Sequence, residues 1–395
     1  MTRRTARRIA AVLAAVAVAV ALSAVPASTR TGYVARQGYY QLEMLWGRVP
    51  LDDVEQHRAL TPEERERITW IPRIQAFGAE QGLAVEGHYT TIHPTWDHTI
   101  WNLSACEELR FRPVKWWFPI VGTVPYLGFF EEQDALVRKA ALADQGYDVY
   151  LRTAGAYSTL GWFDDPVLPG MLSWSEERLS NTLLHELAHA TLWIPGSVAF
   201  NESFASFVGD VASARYIEHV HGPGSPEVRA LADKTRDREA LRLLLHGVYQ
   251  DLDTLYDDPT RSASEKRTQK AGLLAALPTR VRDDQFANPD RYRRYLAEDG
   301  WNNARLYQYR TYNESPEQFA RLLASVDGDL TAFFLRIQEI TAGSDDPYEA
   351  LAAAVGAGAS EDSDDVQSPD TPDRPASDVP APPSTSPSST PQDEP

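Results

Sequence analysis

Cysteine is almost missing from this 395-residue chain: Cys106 stands alone. No intrachain disulfide can form, and neither a thiolate zinc cluster nor a cysteine redox pair can be built. A lone Cys among apolar neighbours is usually packing, which argues against cysteine-nucleophile chemistry. Positive charge is scarce too. There are 38 Lys and Arg against 56 Asp and Glu, a formal net charge of -18, and no basic patch with interleaved aromatics stands out. Nucleic-acid phosphates need such a patch, so a nucleic-acid partner is not expected. No internal repeat is visible. What remains, 43% hydrophobic and 24% charged, has the composition of a globular protein with room for a sizeable core.

Long uncharged apolar runs are confined to one place. MTRRTARR, residues 1–8, carries four arginines and no acid, and IAAVLAAVAVAVALSAV (Ile9–Val25) follows it. Basic then apolar, closed by Val25-Pro26-Ala27, is the pattern of a secretory signal peptide cut after Ala27. The alternative is an uncleaved anchor, and with it membrane association through this segment, although the run is short and Ala-rich for a span of ~20 residues. Either reading places the rest of the chain outside the cytoplasm, secreted or associated with the cell envelope. No Cys ends the run, so lipid attachment there is excluded. At the other end, residues 358–395 hold nine of the 27 prolines and nine acids against Arg374. Such a segment buries too little surface to offset its ordering entropy, and a disordered acidic tail is expected.

Residues 28–357 read as one domain, mainly helical, with a strand-rich patch in the middle. Thr61-Pro62-Glu63-Glu64 supplies an N-cap, a first-turn proline and a capping-box glutamate. From Tyr89 to Phe130 the texture is Thr, Trp, Phe, Val and Tyr punctuated by Pro and Gly, as in WWFPIVGTVPYLGFF (Trp116–Phe130), which predicts strands and tight loops. A helix over 131–145 and a strand over Asp148–Thr159 follow. Ser225-Pro226 then caps a long amphipathic helix.

The chemistry concentrates in HELAHATLWIPGSVAFNESFASF (His185–Phe207). Ser173 and Glu176 form a second capping box, and Leu179, Leu183, Leu184, Leu187 and Leu192 recur at helical spacing until Pro195-Gly196. His185 and His189 therefore sit one turn apart on one face, spaced to bind the same ion. Glu186, turned by about 100 degrees, falls beside that ion, where a general base belongs. Separated from His189 by twelve residues, Glu202 is placed to start the next helix and is the candidate third donor. Ser203 and Ser206 are candidates to bond the ligands, and Asp210 to orient a histidine nitrogen.

These residues resemble the gluzincins, thermolysin-like zinc peptidases with HExxH on one helix and a glutamate ligand on the next. More narrowly, the chain is similar to the bacterial family of predicted aminopeptidases. The similarity is carried by GYYQLEMLWGRVPLDDV (Gly38–Val54), WNLSA (Trp101–Ala105), WWFPIVGTVPYLGFF, AYSTLGWFDDPVL (Ala156–Leu168), HELAHATLWIPGSVAFNESFASFVG and WNNARLYQYRTY (Trp301–Tyr312), spanning most of residues 33–340. It implies an α+β, mainly helical, gluzincin-like zinc metallopeptidase domain with a small sheet before the active-site helix. It also implies Zn2+ on His185, His189 and Glu202, Glu186 as catalytic base, and a peptide substrate.

Two departures stand out. The lipid-bearing cysteine common in the family is absent, and the spacing from His189 to Glu202 is shorter than in thermolysin-like enzymes. Many aminopeptidases of this type hold the substrate amine with a glutamate in a Gly-Ala-Met-Glu-Asn strand. The corresponding Gly155-Ala156-Tyr157-Ser158-Thr159 has no acid, which leaves Asp164, Asp165 and Glu314 as other anchors. Tyr157 and Tyr312 are the candidate oxyanion donors, and the strand around Ala156 is a candidate edge for pairing with an extended peptide. The expected activity is that of a zinc aminopeptidase. A zinc endopeptidase keeps the same site, and a non-catalytic zinc-binding scaffold of the cell envelope is the alternative without turnover. Glu186 speaks against the scaffold, because a structural site needs no base. The same ligands accept other divalent ions, and nothing in the sequence specifies an oligomeric state.

Overall fold

Helix α1 (Arg30–Trp46) opens the described part of the chain, which in this computed structural model comprises residues 30–96, 98–118, 122–154, 165–311 and 316–356. The expected signal and tail segments, 1–27 and 358–395, lie outside it. Strand β1 (Val49–Pro50) pairs antiparallel with β2 (Thr91–Ile92), and α2 (Pro62–Glu80) lies between them in sequence. Thr61 caps α2 as its sequence predicts. Its hydroxyl accepts from the Glu64 N–H, and the Glu64 carboxylate accepts from the Thr61 N–H.

The strand-rich patch forms a three-stranded antiparallel sheet with β3 (Trp101–Glu107) at its centre, between β6 (Tyr126–Phe129) and β7 (Tyr147–Thr153). A separate pair joins β4 (Trp116–Phe118) to β5 (Gly122–Val124). Helix α3 (Glu132–Ala143) covers one face of the sheet, where Leu103, Ala105, Leu127 and Phe129 pack with Ala135 and Leu142. Helix α9 (Asn303–Thr311) covers the other, where Ser104 Oγ and the Gln308 side-chain amide bond at 3.1 Å. Covered on both sides, β3 is buried at four consecutive positions instead of alternating.

The remaining helices are α4 (Glu176–Thr191), α5 (Val198–His221), α6 (Pro226–Asp257), α7 (Ala263–Ala275), α8 (Pro289–Ala297), α10 (Pro316–Ala324), α11 (Leu330–Thr341) and α12 (Pro347–Ala354). All described strands precede α4, and the architecture is α+β and mainly helical. Helix α5 runs through the main core. Its Phe200, Phe204, Val208, Ala212 and Tyr216 pack with Leu183, Leu184 and Leu187 of α4, Ile71 and Ile74 of α2, Phe319 of α10 and Phe333 of α11. A second core joins Leu241, Leu245, Val248 and Leu252 of α6 to Tyr292, Leu296, Trp301 and Leu306. Asn303, fully buried, links that core to the sheet. Its side chain donates to the Glu107 and Glu108 carbonyls at 2.9 and 3.1 Å and accepts from the Tyr256 hydroxyl at 2.7 Å. Among the described residues, no helix is long and apolar enough to cross a membrane.

Candidate metal centre

The site is built on the junction between α4 and α5. Helix α4 is capped by Ser175, whose Oγ accepts from the Arg178 N–H, and not by Ser173. The latter closes a 3-10 turn (Pro169–Ser173) and spends its hydroxyl on the Gly170 carbonyl at 2.7 Å. Six residues separate the end of α4 at Thr191 from the start of α5 at Val198. Gly196 takes a left-handed φ of 83° there, a conformation that suits glycine. Asn201 then staples the turn, accepting from the Ile194 N–H at 2.9 Å and donating to the Ile194 carbonyl at 2.8 Å. The stapled turn lets α5 begin at Val198, so Glu202 lies in the second turn of that helix and not at its start.

Helix α5 approaches α4 closely because Gly209 faces His185. A Cβ at that position would stand 3.0 Å from His185 Cβ, 3.1 Å from the Asn181 carbonyl and 3.3 Å from His185 Cα. The approach brings three donors together. Glu202 Oε2 lies 3.7 Å from His185 Nε2 and 3.6 Å from His189 Nε2. The two imidazoles are nearly perpendicular, with ring centroids 4.8 Å apart, and the His189 ring also packs on Trp193.

These distances test whether the residues suit a cation. At 3.6–3.7 Å the pairs are beyond hydrogen-bond reach. Three donors on a tetrahedral ion with bonds of about 2.0–2.2 Å stand roughly 3.3–3.6 Å apart. The spacing therefore fits an ion between the donors better than direct contact among them. Two imidazoles and one carboxylate also form a three-ligand set that leaves a coordination position open, and one donor atom from each of the three lies within 4.8 Å of the others. The electrostatics agree. Burial works against the charge of Glu202, yet the two histidines hold its carboxyl well below the usual carboxylate range. Burial likewise works against a charge on His185, but Glu202, Glu186 and Asp210 outweigh it and raise its pKa. The centre sits in a field that favours positive charge.

Glu186 stands beside this group, half-buried, with its Oε2 sealed from solvent and unpartnered. The expected helpers act elsewhere. Asp210 Oδ1 accepts from Asn181 Nδ2 at 2.8 Å and from the Arg238 guanidinium at 2.9 Å, so it is tied to its neighbours, and among the described residues no hydrogen bond from it to a histidine is seen. The Ser203 hydroxyl donates to the Thr311 carbonyl and accepts from Tyr348, both at 2.9 Å, which fastens α5 to α9 and α12. No bond from Ser206 to a ligand is seen among the described residues. Tyr157, Tyr312, Asp164, Glu314 and the strand around Ala156 lie outside those residues. Asp165 lies within them, but at 2% exposure it is closed off as an anchor for a substrate amine. Gly209 and the bonds by which Asn201 staples Ile194 went unread in the sequence. Gly209 alone carried a signal, since it follows Glu202 by seven residues and so shares its helix face.

Fold and site together define a mainly helical α+β protein with a two-histidine, one-glutamate cluster on adjacent helices, suited to a divalent cation. Over residues 32–351 the chain matches the model of the family described as "Putative aminopeptidase", and it belongs to that family. No curated protein and no solved structure matches it.

Proposed function

We propose that the chain is a zinc-dependent aminopeptidase of gluzincin type, acting on peptides outside the cytoplasm. The convergence of His185, His189 and Glu202 beside Glu186, in a member of this family, carries the reading. The three donors would hold Zn2+. When bound, the ion supplies Lewis-acid chemistry, polarising a scissile carbonyl and making a water more acidic. Glu186 takes the proton from that water and delivers it to the leaving amine. Burial of Glu202 and His189 keeps water from competing for the donors. Tyr157 and Tyr312 are our candidates to donate to the developing oxyanion. For Tyr312 the support is its place in the chain, directly after Thr311, whose carbonyl is bonded to the residue following Glu202.

The test uses the purified protein, its metal content, and hydrolysis of one peptide series with free and with acetylated amino termini, with and without a chelator. About one zinc per chain and chelator-sensitive cleavage of free amino termini only is the expected result. Glu186→Gln should keep the metal and lose turnover. Should that variant retain most of its activity, the mechanism is wrong. Cleavage of acetylated peptides would instead support the endopeptidase, which the burial of Asp165 and the acid-free stretch at 155–159 favour as the second reading.

A further inference from the structure

Nine large apolar side chains are exposed among the described residues, and four of them, Val34, Tyr39, Leu42 and Trp46, lie on α1. The other five are scattered, one each on β4, α3, α5, α6 and α11. The cluster is also ordered. Tyr39, Leu42 and Trp46 stand at i, i+3 and i+7, one stripe of the helix, and Trp46 is 79% exposed. Single exposed apolar residues need no explanation, whereas a row of them along one helix face marks a contact surface.

The fold is held by a different face of α1. There Met44 is fully buried, the Tyr33 ring packs edge-on against Phe129 and its hydroxyl donates to the Gly128 carbonyl at 2.9 Å, and the Tyr40 hydroxyl donates to Glu131 Oε1 at 2.6 Å. At about 100° per residue, Tyr33, Tyr40 and Met44 fall roughly 150° around the helix from Tyr39, Leu42 and Trp46. Helix α1 is thus apolar on two faces, and only one of them is buried.

The chain ahead of α1 indicates what covers the other. The uncharged run Ile9–Val25 ends five residues before Arg30. An extended chain covers at most about 18 Å over five residues, and the polar layer of a bilayer is roughly 5–8 Å deep on each side. With that run in a membrane, α1 lies against the headgroups. Tyr and Trp suit this layer, each having an apolar ring body and a polar tip. Charge permits the contact: residues 30–48 hold Arg30, Arg36 and Arg48 against Glu43 alone, in a chain of net charge -18. This segment is spared the repulsion that the acidic remainder meets at lipid phosphates.

We infer that α1 is an interfacial helix, lying flat on a lipid surface with Val34, Tyr39, Leu42 and Trp46 at the boundary between headgroups and acyl chains. The inference is independent of the catalytic reading. If the apolar run is retained, α1 seats the domain beside its anchor; if the run is cut after Ala27, the same face is a peripheral contact.

Leu42→Cys in the full chain, labelled with a polarity-sensitive fluorophore, is the probe, because Cys106 is fully buried and leaves position 42 as the reactive thiol. Leu243→Cys on α6, exposed like Leu42, is the reference. The vesicles are phosphatidylcholine, with and without nitroxide-bearing lipid. The probe at 42 should shift to the blue and be quenched by the nitroxide, and the probe at 243 should do neither. Quenching at 42 no greater than at 243 overturns the inference. So does a blue shift that appears without vesicles and grows with protein concentration, because a second copy then covers the face. Tyr39→Ser and Trp46→Ser, placed together in the labelled chain, should weaken the quenching at 42 at least about threefold, since interfacial binding scales with the apolar area inserted. They should leave the thermal midpoint within about 2 °C, as substitutions at exposed positions do. Unchanged quenching would mean that tethering alone holds α1 near the lipid, and a larger drop in the midpoint that the chain itself packs on this face. Either result overturns the inference.

Discussion

Replacing Gly209 by alanine tests the helix junction that assembles the three donors. Ala outranks Gly inside a helix by about 1 kcal/mol, so in open space the change stabilises. At 209 the new Cβ meets α4 at 3.0, 3.1 and 3.3 Å, against ordinary contacts from about 3.4 Å. The atoms it meets are His185 Cα and Cβ and the Asn181 carbonyl, which cannot turn away as the end of a long side chain would. The helices must part by a few tenths of an ångström. Overpacking of this kind costs about 1–3 kcal/mol, which leaves a net loss of about 0–2 kcal/mol. Gly247 is the internal reference. It lies within α6, a Cβ there meets nothing within 4 Å, and Gly247→Ala should gain nearly the full propensity term. Parting the helices also draws both histidines from Glu202. Because metal sites tolerate about ±0.2 Å, zinc affinity should fall by roughly 10- to 100-fold, as when ligands lose their orientation. Denaturant unfolding of the metal-free variants and competition with a zinc chelator read the two effects separately. If Gly209→Ala is stabilised as much as Gly247→Ala and binds zinc like the parent, the close approach at His185 does not set the site.

Two further outcomes follow from burial. Cys106 is fully buried, and burial, followed by the Asp148 charge, pushes its thiol up to about 12; at pH 8 the native thiolate is then scarce, and alkylation should be slow until denaturant opens the sheet, with rapid labelling of the native protein as the contrary result. Asn303→Leu removes two donors to the Glu107 and Glu108 carbonyls and one acceptor for Tyr256 in a fully buried position; a loss of about 3–5 kcal/mol in denaturant unfolding is expected, and a loss below 1 kcal/mol would show that the joint between sheet and second core is not held there.

The parts of this structure that were legible in the sequence share one property: their partners are close along the chain. Thr61 and Glu64 satisfy each other across three residues, so α2 can be read without knowing its surroundings. His185 and His189 need only a helix to face one ion, and Glu202 needs only a turn after it. The start of α4 was misplaced because Ser173 and Ser175 both offer a hydroxyl, and the choice is made by the 3-10 turn before them. Asp210 shows where local reading stops. Its spacing suggested a histidine partner, but Asn181 and Arg238 compete for the same oxygen from 29 and 28 residues away. Such competition is settled by packing, which no spacing encodes. Tyr89 is the extreme case. In the sequence it is one aromatic among many in a strand-like patch, and in the fold its ring is ordinary core. Only the buried, unpaired phenol oxygen separates it from phenylalanine, and that distinction exists only once the fold has closed around the ring.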